Sequence, residues 1–99
     1  MASGTQPNEF RIISETKTIN VGTVPVKDIA HGVIELTYPT GYSAFAIIPV
    51  NSSNLTLFHS LSFVPVDTTQ INVDVGLYNP TDVQKTNTVA TVRVLWTKG

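Results

Sequence analysis

Ile71, Val73, Val75 and Leu77 alternate with Asn72, Asp74 and Gly76, and Ala90, Val92, Val94 and Trp96 alternate with polar residues such as Thr91 and Arg93. A strand turns successive side chains to opposite faces, so each run presents one apolar face and one polar face, as antiparallel strands over a core do. No apolar period of 3.6 residues is sustained over three turns, so no substantial helix is predicted. From Phe10 onward β-branched residues dominate, with Pro or Gly at short intervals between the runs. That pattern predicts an all-β fold, a single antiparallel β-sandwich of jelly-roll-like type with about seven or eight short strands. It would span residues 10–99, behind a small polar arm at 1–9.

The other runs are less regular. In "FRIISETKTINVG" neither parity is apolar throughout, which predicts an edge strand or a break near Ser14. Pro25 cannot donate a ladder hydrogen bond, so "TVPVKDIAHG" reads as an edge strand or a crossing loop. In "GVIELTYP" the even set, Ile34, Leu36 and Tyr38, faces the core. The nearly continuous apolar run from Ala44 to Val50 predicts a strand covered on both sides, broken at Pro49. Leu55, Leu57, His59, Leu61 and Phe63 share one parity, and burial of that set would make His59 an interruption. The loop "NPTDVQKTNT" exceeds a tight hairpin and is rich in turn formers, so it can project as a contact loop.

Hydrophobic residues make up 41% of the chain and charged ones 13%, with a net charge of −1. So little charge argues against disorder, and the scattered Lys and Arg give no field for nucleic acid or an anionic membrane. Without cysteine there is neither a disulfide framework nor a thiolate metal site. The first residues lack the pattern of a signal peptide, and no stretch approaches the length of a membrane span. The expectation is a product made in the cytoplasm that leaves by another route, if at all.

Chemistry is sparse. Asp28, His31 and Glu35 match no standard metal spacing, and His31 reads as a loop histidine beside solvated acids. His59, in an apolar run, reads as a buried or interface histidine bonded to backbone. There is no GxSxG elbow, no phosphate cradle and no motif that selects a carboxylate pair. The expectation is therefore no enzyme, no cofactor and no metal. Two sequons, at Asn51 and Asn54, read as a polar turn. Tyr38, Tyr42, Tyr78 and Trp96 offer apolar ring faces to sugars, although the parity of Trp96 assigns it to the core or an interface. Tyr78 has the exposed parity. The ligand-binding candidates are Tyr78, Asn79, Asp82 and Gln84 beside Asn51 and Asn54, since amides and an acid can bond sugar hydroxyls while a tyrosine stacks.

One resemblance adds to this reading. Gly41, Tyr42, Ala46, Ile47 and Ile48, then Asn72, Val73, Val75 and Asn79, and finally Thr91, Val92, Val94, Leu95, Trp96 and Lys98 follow a pattern of strands over about Val33 to Gly99. That pattern is similar to small β-sandwich proteins of tailed bacteriophages and prophages, with Trp96 standing where a tyrosine is more usual. The resemblance implies a virion or tail-associated protein, often trimeric, of the receptor-binding or accessory fibre-tip class. Its partners would be further copies of itself, other virion proteins and a host-surface polysaccharide. A capsid decoration or head-fibre protein is the alternative, and a free carbohydrate-binding module is a third.

Overall fold

The computed structural model describes residues 11–99. The arm assigned to 1–9 lies outside the described residues. Six strands follow one another: β1 (Ile12–Val24), β2 (Ile29–Thr37), β3 (Tyr42–Ser52), β4 (Leu57–Pro65), β5 (Gln70–Tyr78) and β6 (Lys85–Lys98). They form two three-stranded antiparallel sheets, ordered β1-β6-β3 and β2-β5-β4. The all-β expectation holds, but with six strands in place of seven or eight. Strands run on where a break or a loop was expected: β1 continues past Ser14 for 13 residues, and β6, at 14, begins at Lys85 and takes up the last four residues of the expected loop "NPTDVQKTNT".

The two cleanest alternations belong to the two central strands. Val73, Val75 and Leu77 of β5 and Ala90, Val92, Val94 and Trp96 of β6 are fully buried, and Ile34 and Leu36 of β2 join them as predicted. A central strand is shielded on both sides by its neighbours, so its inward side chains lose all contact with water. Each buried Val, Leu or Ile among them is worth about 1.5–3 kcal/mol by apolar transfer.

The edge strands depart from their sequence readings. β1 is an edge strand, unbroken at Ser14; its register shifts instead flank Gly22, whose φ is +81°. Its mixed parity has a simple cause. Glu15 and Lys17 lie in register with Val94 and Val92, on the inward face, yet stay partly exposed at the rim and pair at 3.7 Å.

β3 is not covered on both sides. It is the other edge of the same sheet, with Phe45 55% and Val50 50% exposed. Register shifts between Ala44 and Ala46 and between Pro49 and Asn51 set both residues outside the regular ladder. In β4 a shift between Phe58 and Ser60 inverts the parity. Phe58, Leu61 and Phe63 then face inward opposite Leu77, Val75 and Val73, while Leu57 and His59 are exposed. The single-parity reading, with His59 buried, fails because a bulge adds one residue and so turns every following side chain over.

The connections gather at two ends. At one end the chain segments 25–28, 53–56 and 79–84 meet: the Asn79 N–H donates to the Asp28 carbonyl at 3.0 Å, and Asn54 Nδ2 to the Thr86 carbonyl at 2.9 Å. The segments 38–41 and 66–69 meet at the other, where the Tyr38 N–H donates to the Thr69 carbonyl at 3.0 Å. In the turn between β3 and β4, Asn54 and Leu55 have φ of 61° and 62°, and the Thr56 N–H closes on the Ser53 carbonyl at 3.2 Å. Two successive left-handed residues are the φ signature of a type I′ turn, which favours Asn-Gly. Leu55, 75% exposed, holds a conformation that suits glycine. Leu55→Gly is expected to raise stability by about 0.5 kcal/mol in a urea titration, as strain relief outweighs the added chain entropy. A loss of stability would contradict the strain.

Candidate functional site

The six residues selected from sequence lie toward the first end, but on different surfaces. Tyr78, half-buried, is on the outward face of the β2-β5-β4 sheet, in register with Ile29 and Leu57. Asn51 lies opposite Thr91 on the outward face of the other sheet. Asn54 bonds the Thr86 carbonyl, Asp82 is exposed and lies 3.7 Å from Lys27, and Gln84 is exposed.

Asn79 plays a different part. It is fully buried, and Nδ2 donates to the carbonyls of Val24 (3.1 Å) and Val83 (2.8 Å). Oδ1 accepts from the Thr81 N–H (2.9 Å) and hydroxyl (2.7 Å). All four bonds are internal, so the amide pins the 79–84 loop and leaves nothing to offer a sugar.

His31 sits on β2 rather than in a loop, and its neighbour is Asp74, not Asp28 or Glu35. Nδ1 lies 3.3 Å from both carboxylate oxygens. A Cβ on Gly76 would lie 2.5 Å from Ser60 Oγ and 3.0 Å from His31 Cε1, so both side chains close over that glycine. Ser, His and Asp thus share one sheet face. No hydrogen bond joins His31 to Ser60, whereas nucleophile activation requires one. Among the described residues, no group of three or more His, Asp or Glu is placed to hold a metal ion.

A concavity, which none of the six selected residues lines, is at the opposite end. An open groove of about 900 Å³ runs between the segments 37–44 and 63–71. Tyr38, Tyr42 and Phe63 supply its aromatic surface, and Thr40, Ser43, Asp67, Thr68 and Thr69 its polar groups. Each wall has a local cause. The Tyr42 N–H closes a turn on the Pro39 carbonyl at 3.0 Å, and Gly41 takes the left-handed third position at φ +84°. On the facing wall, Asp67 Oδ1 accepts from the Thr69 N–H (2.8 Å), the Thr69 hydroxyl (3.0 Å) and the Gln70 N–H (2.8 Å). These bonds, that of the Thr69 N–H foremost, hold the Asp67 carboxyl below the usual carboxylate range. It therefore stays anionic into acid.

The core fixes the aromatic rings from beneath. Trp96 meets Tyr38 edge to face, with ring centroids 5.8 Å apart, and Phe63 at 6.5 Å. Tyr42 has the Lys98 ammonium 5.9 Å from its ring centroid. A groove with apolar ring faces, hydroxyls and one fixed carboxylate can take a ligand that is apolar on one side and hydroxylated at its rim.

Tyr38 and Tyr42 were among the aromatics noted in the sequence, but Asp67, Thr68, Thr69 and Phe63 were missed as site residues. The signal for them was the Asp-Thr-Thr-Gln run, an aspartate that caps the backbone two and three residues on. No family model, curated protein or solved structure matches this chain.

Proposed function

We propose that the chain is a non-enzymatic virion structural module of the tail or fibre-tip type, and that it binds host-surface polysaccharide in the groove between 37–44 and 63–71. The observation that carries this reading is the groove itself, with three aromatic side chains, clustered hydroxyls and one fixed carboxylate. Sugar rings present apolar CH faces to aromatics and hydroxyls to acids and threonines. An open channel also suits a polymer, which must enter and leave along its length. The resemblance of the strand pattern to phage tail proteins points to the same class.

The test is binding of the full chain to purified host cell-wall polysaccharide, by calorimetry or on a glycan array. Tyr42→Ala is expected to lower affinity about tenfold or more, the loss of one aromatic contact. Tyr78→Ala, at the other end, should leave affinity within about twofold. Loss on Tyr78→Ala alone would move the site to the end selected from sequence. No binding by the intact chain would favour the second reading, a capsid decoration protein. The exposed aliphatic side chains of β3 and β4 favour that alternative, since they suit docking on a protein lattice. Imaging of labelled particles separates tail from shell.

A further inference from the structure

The groove between 37–44 and 63–71 carries charge of one sign only. Asp67 is the single charged side chain in its lining, and no lysine, arginine or histidine joins it there. None of the ion pairs among the described residues involves Asp67. The Lys98 ammonium, 5.9 Å from the Tyr42 ring centroid, is not part of the lining.

The carboxylate is also held in place. Its Oδ1 takes all three donors of the turn, the Thr69 N–H and hydroxyl and the Gln70 N–H. The Val66 and Asp67 N–H groups close the same turn on the Gln70 carbonyl, at 3.1 and 3.2 Å. Oδ2 has no partner among the described residues, so it can accept from a ligand without disturbing the turn. Tyr38, Tyr42 and Phe63 add ring surface to the same groove. The face of an aromatic ring is the negative pole of its quadrupole and attracts a cation within about 6 Å of the centroid. Rings and carboxylate therefore act in one direction: they favour a positive group and disfavour a negative one.

The geometry points to the groove as a site for a cationic polysaccharide, a chain of hexosamine units with free, unacylated amino groups, one ammonium resting on Asp67 with the ring faces beside it. The inference rests on the groove's being a polysaccharide site, and it names the class of chain that the site takes. An ammonium gives Asp67 a charge-assisted hydrogen bond, roughly twice as strong as one from a neutral hydroxyl. The hydroxyls of Thr68 and Thr69 lie on the same wall for the neutral part of the sugar. A chain bearing uronate or phosphate would bring like charges together, with no cation in the lining to offset them. Asp67 thus acts as the residue that decides specificity, while the rings supply contact area to any sugar.

The test compares three β-linked oligomers of equal length and linkage, of glucosamine, glucose and glucuronic acid, by calorimetry on the full chain at low salt and mildly acidic pH. There the sugar amine is protonated, and Asp67, held low by its turn, is ionised. The glucosamine oligomer is expected to bind about tenfold tighter than the glucose oligomer, and the glucuronate oligomer more weakly than both. Added salt should shrink the preference for the amine, because the charges are exposed. Asp67→Asn keeps an oxygen for the three turn donors and removes only the charge. The amine preference should then fall to within about twofold, with affinity for the glucose oligomer unchanged. Asp74→Asn removes an equal charge from the outward face of β5 and should leave the preference intact. Equal affinity for the amine and hydroxyl oligomers, a preference insensitive to salt, one that survives Asp67→Asn, or one lost with Asp74→Asn would overturn the inference and leave the groove a polysaccharide site. Binding of none of the three overturns it as well, and binding of polysaccharide purified from the host then decides the groove reading by itself.

Discussion

Trp96→Ala is expected to lose about 3–5 kcal/mol of stability, a large share of the roughly 5–15 kcal/mol that a domain of this size has in total. Trp96 is the largest fully buried side chain and lies on the central strand of its sheet, so its removal leaves a cavity that the flanking strands cannot close. It also supports Tyr38 and Phe63, so the groove should lose its shape along with the core. The midpoint of urea unfolding should fall with little change in slope. Trp96→Phe separates packing from polarity. The indole N–H is buried with no hydrogen-bond partner among the described residues, a feature that costs about 1–3 kcal/mol. Phenylalanine removes that penalty while creating a smaller void, so its net loss should be about 1 kcal/mol or less. A loss on Trp96→Phe as large as on Trp96→Ala would mean that the N–H is satisfied and that the ring's full size decides stability.

Asn79→Ala is expected to cost about 2–4 kcal/mol, from the same order of buried polar loss. Alanine would leave the buried carbonyl of Val24 without its donor, and would take a donor from the Val83 carbonyl and the acceptor from the Thr81 N–H and hydroxyl. Asn79→Asp should be at least as harmful, because a carboxylate in place of the amide would face two carbonyl oxygens. The check pairs urea unfolding with hydrogen exchange at the Thr81 amide, which should lose protection well before β5 does. Groove affinity should be unchanged in the folded fraction, since the 79–84 loop lies at the far end. An Asn79→Ala chain of wild-type stability that no longer bound polysaccharide would return Asn79 to the ligand site and refute its structural role.

The same asparagine marks where the sequence was legible and where it was not. The sequence places a loop over "NPTDVQKTNT", and the structure keeps only 79–84 of it, the rest joining β6. Whether Asn79 bonds a ligand or its own chain depends on Val24, which lies far away in sequence and arrives only when the sheets pack. Likewise, the parity of Phe58 through Phe63 cannot be read across a bulge, because one extra residue at His59 reverses every inside and outside assignment. The groove was hidden for a similar reason. Its two walls come from turns separated by β3 and β4, and nothing in either turn declares the other its neighbour.

What the sequence by itself determined is the part written in local alternation. A residue's parity on a regular strand is a property of the backbone, so Ile71 to Leu77 and Ala90 to Trp96 could be assigned to a core before any partner was known. Strand count, edge position and site required the tertiary structure. An apolar run such as Ala44 to Val50 looks the same whether it is buried between neighbours or exposed on an edge, because burial depends on the surroundings as well as on the segment. Long-range pairing made β3 an edge strand beside β4. It also set Tyr38, Tyr42 and Phe63 above Trp96 and joined two distant turns into the groove.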